Sequence, residues 1–135
     1  MIDADFTMEK GTLKLRVRGH AGAAPMGQDL VCAGVSSLVL TAAEVAARLE
    51  KQGWLARPPL IRLKPGSAMV FLTPYREMRE QTIFCFWTLQ AGLERLSQMY
   101  PGCIRINRML PMQHNCRNKK TSFREGTERI SYETF

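Results

Sequence analysis

The sequence predicts one α+β domain whose strands and helices follow the order ββαββαβ. Two N-terminal segments alternate apolar and polar residues, two later segments carry apolar residues at helical spacing, and glycine or proline separates the segments. Short turns between successive strands indicate a mostly antiparallel sheet with both helices packed on one face. A chain of 135 residues needs no second core, so we expect a single domain.

The first two strands form a predicted hairpin. Residues 1–8 place an apolar side chain at every second position, as a half-buried strand does, and residues 12–18 repeat the alternation. Lys10 and Gly11 supply the turn between them, and Gly19 ends the second strand. The residues that follow are rich in glycine, alanine and proline, which predicts a loop up to position 27.

A helix of about twenty residues is predicted to follow Asp29, which is the expected N-cap. Its apolar residues recur three and four positions apart: Val31, Val35, Leu38, Ala42, Val45 and Leu49. Gly53 stops this helix. Two further apolar runs, residues 60–63 and 68–72, flank the Pro65-Gly66 turn and predict a second hairpin.

The last elements are a second helix and a short strand. The helix has its own apolar stripe, which consists of Phe86, Leu89, Leu93, Leu96 and Tyr100. Pro101 and Gly102 close it, and alternation around Ile104 and Ile106 predicts the strand. The domain therefore spans residues 1–108. Residues 109–135 are polar, with five Lys/Arg and three Asp/Glu, and we expect a basic tail that is mobile or loosely docked.

Composition and charge narrow the class of protein. Apolar residues make up 45% and charged residues 23%, which excludes a wholly disordered or fibrous chain. The 19 Lys+Arg exceed the 12 Asp+Glu by seven, so we expect an anionic neighbour such as a nucleic acid or a ribonucleoprotein. In the sequence the basic residues are not gathered into one block.

The location expected from the sequence is the cytoplasm, without a membrane partner. The start, Met1–Asp5, lacks the basic and apolar regions of a signal peptide, and we expect no membrane span because no run of about 18–20 uncharged apolar residues occurs. The cysteines form no CxxC pair and are expected to be reduced thiols: Cys32, Cys85, Cys103 and Cys116.

One cysteine and one histidine could carry chemistry together. Cys32 falls at the third position of the first helix, where unpaired amide groups favour a thiolate and could also stabilise an oxyanion. His20 follows the second strand and could reach the thiol across the loop. Strict alternation places His20 on the face of Lys14 and its neighbours, unless Gly19 or a β-bulge redirects it. On residue types alone, an inert cysteine and a surface histidine stay open.

Residues 19–36 resemble the signature of the ribosomal-processing cysteine protease (Prp) family, which reads G-H-A-G-x-A-P-x-G-Q-D-[IL]-V-C-A-G-V-S. The resemblance implies that His20 and Cys32 are a catalytic dyad within a cysteine protease domain. It also implies a bacterial homodimer that removes the N-terminal extension of a large-subunit ribosomal protein, the one called L-twenty-seven, by cleaving after aromatic residues. No metal or organic cofactor is expected. Ala23 departs from the aromatic residue frequent at its position in relatives.

Five further residues are candidates for supporting roles. Gly19 would let a substrate backbone pass close to the dyad. Asp29 either caps the helix alone or also orients His20 or the loop. Ser36 lies one turn after Cys32 and could bind substrate or its own helix. Gly22 and Gly27 are candidate hinges of the loop.

Two other functions stay open at this point. One is a non-catalytic assembly factor that contacts the ribosome through its positive charge. The other is a redox-sensing thiol, although no resolving cysteine can be identified from spacing. A nucleotide site is not expected because the Walker lysine and the GxGxxG spacing are missing. A zinc site at His114 and Cys116 is not expected because a second ligand pair is missing.

Overall fold

A computed structural model describes residues 1–25 and 28–111 of the chain. The elements follow the predicted order, with one short 3-10 turn at Arg76–Met78 before the second helix. They are β1 (Ile2–Glu9), β2 (Thr12–Gly19), α1 (Leu30–Lys51), β3 (Leu60–Lys64), β4 (Ser67–Leu72), α2 (Arg79–Met99) and β5 (Ile104–Arg108).

The five strands form one sheet in the order β3-β4-β2-β1-β5. Neighbouring strands are antiparallel, except for the parallel pair β1 and β5. The register sets Ala4 opposite Val17 and Phe6 opposite Leu15, so the apolar residues of both strands share one face. The predicted α+β fold with a mostly antiparallel sheet is confirmed.

Both helices pack on this apolar face. The Phe6 ring on β1 meets the Phe86 ring on α2 edge to face, with 6.4 Å between ring centroids. The helices approach each other closely because each presents a glycine to a leucine of its partner, Gly92 to Leu38 and Gly34 to Leu96. Leu38, predicted to face the core, is therefore only partly buried, in the contact with α2.

By length and composition alone, α1 could cross a membrane. Its most apolar 18 residues have a mean hydropathy of 1.9, and 28% of that window is buried. This differs from the expectation that no stretch of the chain is apolar enough to span a membrane. The reason is that no charged residue occurs between Asp29 and Glu44. In this fold α1 is a core helix, whose buried side chains join those of the sheet.

The opposite face of the sheet is not covered by a helix within the described residues. It carries the polar members of the alternating strands, and these side chains are exposed or partly exposed along β1, β2 and β3. The fold therefore has one apolar layer under the helices and one charged surface.

The chain continues to pack after β5. Leu110 is buried, and the side chain of Gln90 accepts a hydrogen bond from its N–H (2.7 Å) and donates one to its carbonyl oxygen (3.3 Å). Leu110, in the tail predicted from residue 109, is thus docked on the domain, because its apolar side chain is buried and the Gln90 amide holds its backbone. Residues 112–135, including His114 and Cys116, lie outside the described residues.

Candidate active site

Gly19 turns the chain so that His20 leaves the charged face. Its φ of +97° lies in the left-handed region that favours glycine, and a Cβ there would overlap the carbonyl oxygen of Met1. The next side chain, His20, lines a cavity together with Cys32 and with core residues of the sheet. Gly19 therefore turns His20 away from the face on which strict strand alternation would place it.

The turn of the second hairpin supports His20 from the other side. Gly19 donates its N–H to the carbonyl oxygen of Gly66 (2.9 Å), which joins the end of β2 to the β3–β4 turn. Gly66 has a φ of +70°, and a Cβ there would lie 2.7 Å from Nε2 of His20. The imidazole thus rests against a position where only glycine leaves room.

Cys32 occupies the third residue of α1 and is partly exposed. Its Sγ accepts a hydrogen bond from the N–H of Ala21 at 3.3 Å. Among the described residues, His20 and Cys32 form no hydrogen bond with each other, although both line the same cavity. Such a bond is often long or absent before substrate binds, so its absence does not argue against a pair.

Asp29 is the N-cap, as predicted, and it also holds the loop. Oδ1 accepts hydrogen bonds from the N–H groups of Val31 and Cys32, each at 3.0 Å, and Oδ2 accepts one from Ala23 at 3.0 Å. The hydrogen bond from the Cys32 amide is the main cause that lowers the pKa of Asp29 below its ordinary value, and the Ala23 amide adds to it.

These bonds correct one expectation about the site. The first amides of the helix were expected to be available for an oxyanion, but the Asp29 carboxylate occupies those of Val31 and Cys32. The amide directed at the sulfur belongs instead to Ala21, in the loop that Asp29 tethers through Ala23. Within the part of the chain that the structure describes, Asp29 forms no hydrogen bond or ion pair with His20 that would orient the ring.

Removing the Asp29 carboxylate is expected to destabilise the fold in a pH-dependent way. Asp29→Ala loses an N-cap and the loop tether, so we expect a Tm lower by roughly 3–8 °C at pH 7. Because the folded pKa is lowered, this stabilisation is complete above the ordinary aspartate pKa of 3.8 and is lost as the pH falls below it.

Thermal denaturation of wild type and Asp29→Ala from pH 3 to pH 8 measures this difference. Glu44→Ala is the matched control, because it removes an exposed carboxylate of the same helix whose ion pair within the described residues is with Arg48. An Asp29→Ala difference that is as large at pH 3 as at pH 7 would contradict the assignment.

Two connected cavities lie beside the candidate dyad. One, of about 440 Å³, runs between α1 and the β3–β4 hairpin and has apolar walls. The other, of about 510 Å³, lies next to the loop and is lined by Gly22, Ala24 and Asp29. His20, Cys32 and Ser36 line both. This size suits one bulky side chain and the adjoining backbone of a bound peptide.

The remaining predicted residues stand as follows. Ser36 is exposed, and its hydroxyl makes no hydrogen bond to the described residues, so it does not bond back to its helix. Gly22 is exposed in the loop with a φ of +67°. Gly27 lies outside the described residues, and the hinge roles of both glycines stay predictions.

The contribution of the second hairpin to the site is not visible in the sequence. Pro65 and Gly66 were identified as a turn, but their contact with the cavity of His20 depends on how β4 pairs with β2. Leu40 and Leu63, both exposed, belong to the apolar lining of the 440 Å³ cavity. Their exposure could not be inferred from periodicity, which predicts both as ordinary members of their elements.

The family assignment follows from a comparison over most of the chain. The family model of cysteine protease Prp matches residues 1–105. The chain belongs to this family. The predicted resemblance is thus confirmed, and it extends beyond the signature at residues 19–36 to nearly the whole described domain. No curated protein is significantly similar to the chain.

Solved structures share the fold of this family member. The essential ribosomal processing protease Prp from S. aureus, with a covalently linked product peptide, has a TM-score of 0.61 and 22% identity. SMU.848 from Streptococcus mutans has a TM-score of 0.58 and 27% identity. Each comparison covers 81% of this chain, and 100% and 94% of the respective structures. The S. aureus protein in complex with a substrate peptide gives 0.57 and 21%.

Proposed function

We propose that this chain is a cysteine endopeptidase in which Cys32 is the nucleophile and His20 the general base. The observation that carries the proposal is that both side chains line one cavity, while the Ala21 N–H is directed at the sulfur. Membership in a cysteine protease family supports the same chemistry. Asp29 then acts as a positioning residue, since it holds the loop that carries the Ala21 amide.

Acylation begins when His20 accepts the thiol proton and the Cys32 sulfur attacks the carbonyl carbon of the scissile bond. The negative charge on the carbonyl oxygen is stabilised by a nearby N–H donor, for which the Ala21 amide is the best placed. The carbon–nitrogen bond then breaks, and His20 returns the proton to the leaving amine. The product of this half is a thioester on Cys32.

Deacylation repeats the sequence with water. His20 takes a proton from water, whose oxygen attacks the thioester carbon, and the carbon–sulfur bond breaks. The sulfur recovers a proton from His20, and the new carboxyl terminus leaves. The two halves need no metal or organic cofactor.

The substrate we propose is the N-terminal extension of a large-subunit ribosomal protein, L-twenty-seven, cut after an aromatic residue. The apolar cavity between α1 and the second hairpin supports this choice, because its walls suit a bulky apolar side chain next to the scissile bond. The S. aureus relative of the same fold is described as a ribosomal processing protease and has been crystallised with substrate and product peptides.

We also propose that the enzyme works in the cytoplasm as a homodimer. A ribosomal substrate favours that compartment. Phe84 is 64% exposed and stacks on Trp87, with 6.2 Å between ring centroids, so α2 presents an apolar patch that a second copy could cover. Light scattering of the purified chain measures the oligomeric state directly.

Cleavage of a synthetic peptide tests the proposed function. The peptide spans the ribosomal extension with its aromatic segment, and mass spectrometry under reducing conditions identifies the products. We expect two fragments, with the new carboxyl terminus on an aromatic residue. An intact peptide would contradict the proposed substrate, and cleavage after another residue type would contradict the proposed specificity.

A further inference from the structure

The open face of the sheet concentrates positive charge on three neighbouring strands. β2, β3 and β4 contain no aspartate or glutamate, and five of the seven alternate residues of β2 and β3 on this face are basic: Lys14, Arg16, Arg18, Arg62 and Lys64. The inward-facing alternate residues of the same strands are apolar. Strand alternation therefore collects five cations, which are dispersed in the sequence, on one surface.

The carboxylates on the neighbouring strand β1 already have partners. Asp3 pairs with Arg105 at 2.7 Å and Asp5 with Arg108 at 3.6 Å, while Glu9 pairs with Lys14 at 2.7 Å. Within residues 1–25 and 28–111, the other four cations of the three strands have no carboxylate within ion-pair distance: Arg16, Arg18, Arg62 and Lys64. These four cations form no ion pair within the described residues, but Arg16 and Arg18 lie opposite Asp5 and Asp3 in the β1–β2 register. Arg62 and Lys64, on the strand of the three that is farthest from β1, are the least offset by these carboxylates and are the most available to an anionic ligand.

The strand register arranges these cations in two parallel lines, one on β2 and one on β3. Between the lines lie the less polar side chains of β4, which form the floor of this surface: Ser67, Met69 and Phe71. Arg16 on β2 pairs with Met69 on β4, which pairs with Arg62 on β3. On one side of this row of paired residues, the next row across β2, β4 and β3 is Lys14, Phe71 and Leu60. On the other side it is Arg18, Ser67 and Lys64. With about 4.8 Å between strands, the basic lines of β2 and β3 lie roughly 10 Å apart.

Phe71 gives this floor an aromatic ring. It is partly exposed, and Lys14 and Arg16 hold their charged ends 5.4 and 5.0 Å from the ring centroid. A flat surface with an aromatic ring between cations matches the two parts of a single-stranded nucleic acid. Its phosphates are anionic, and its bases stack on aromatic rings and on guanidinium groups.

We propose that the open face of β2, β4 and β3 binds a segment of single-stranded RNA. Arg16, Arg18 and Arg62 contact phosphates, and a base packs against Phe71. An acidic peptide fits less well, because it has no base to fill the floor at Phe71 and Met69. The choice of RNA over DNA rests on the proposed function, since a ribosomal substrate places RNA beside the enzyme.

Fluorescence anisotropy with a labelled 12-nucleotide oligo(U) tests the proposal on the full chain. The double variant Arg16→Gln/Arg62→Gln removes two phosphate contacts, so the slope of log affinity against log salt should shrink by about 1.4. Phe71→Leu should weaken binding roughly 5- to 100-fold with the slope unchanged. The matched control is Arg48→Gln/Lys51→Gln, which removes the same charge from α1 on the other side of the sheet.

The outcomes separate this proposal from its rivals. Equal losses in the test and control double variants would overturn the site, because net charge alone would then explain binding. An unchanged affinity in Phe71→Leu, or equal binding of poly-glutamate, would reduce the face to a general polyanion surface and overturn the RNA assignment. Tighter binding of oligo(dT) would overturn the choice of RNA.

The test is independent of proteolysis. Binding is measured without cleavage, and Arg16→Gln/Arg62→Gln is expected to cut the short peptide at the wild-type rate because the open face lies across the sheet from the dyad. If the chain does not cleave the peptide, the binding measurement can therefore still be interpreted.

Discussion

Cys32→Ala and His20→Ala are each expected to lower the rate of peptide cleavage by at least about 1,000-fold. The reason is that the sulfur forms the acyl bond and the imidazole moves the proton in both half-reactions. The double variant should be no slower than Cys32→Ala alone, because residues that act as one unit are not additive. Single-turnover kinetics with the extension peptide measure these rates, and denaturant unfolding of each variant shows whether it is folded.

Cys85→Ala is the control for this prediction. Cys85 is also partly exposed, but it lies on α2, away from the cavities of the dyad, and burial raises the pKa of its thiol. We expect wild-type cleavage from this variant. In the wild-type protein, we expect slow alkylation of Cys85 by iodoacetamide at pH 7. A folded Cys32→Ala protein that cleaves at the wild-type rate would rule out Cys32 as the nucleophile.

Gly66→Ala is expected to reduce kcat/KM by roughly 100-fold while leaving the protein folded. The new methyl group would lie 2.7 Å from Nε2 of His20, so the ring must move, and a displacement of about 1 Å costs that much catalysis. The left-handed φ of +70° adds about 1–2 kcal/mol of strain. Peptide kinetics and denaturant unfolding of the same preparation measure the two effects.

Gly53→Ala separates strain from the displacement of His20. Gly53 has a nearly equal φ of +72°, and a Cβ there would meet nothing within 4 Å. We therefore expect Gly53→Ala to lose the same stability as Gly66→Ala, within a few tenths of a kcal/mol, and to keep its activity. Similar kinetics in the two variants would show that the position of His20 against the hairpin turn has no catalytic importance.

Local patterns of the sequence predicted the elements and the chemistry of the site. Alternation in β1 and β2, helical spacing from Val31 to Leu49, and the cap at Asp29 each depend on residues a few positions apart, and the structure contains all three. The signature at residues 19–36 predicted the family, which the match over residues 1–105 confirms. The roles of His20 and Cys32 stay predictions for the experiments above.

The tertiary structure alone decided how distant segments meet. The sequence shows Pro65 and Gly66 as a turn, but only the pairing of β4 with β2 brings that turn against His20. The same pairing aligns Arg16 with Arg62, 46 positions later, so charge that is dispersed along the chain becomes one surface. Periodicity reports which face a residue occupies within its own element, whereas strand order and register depend on the packing of the whole core.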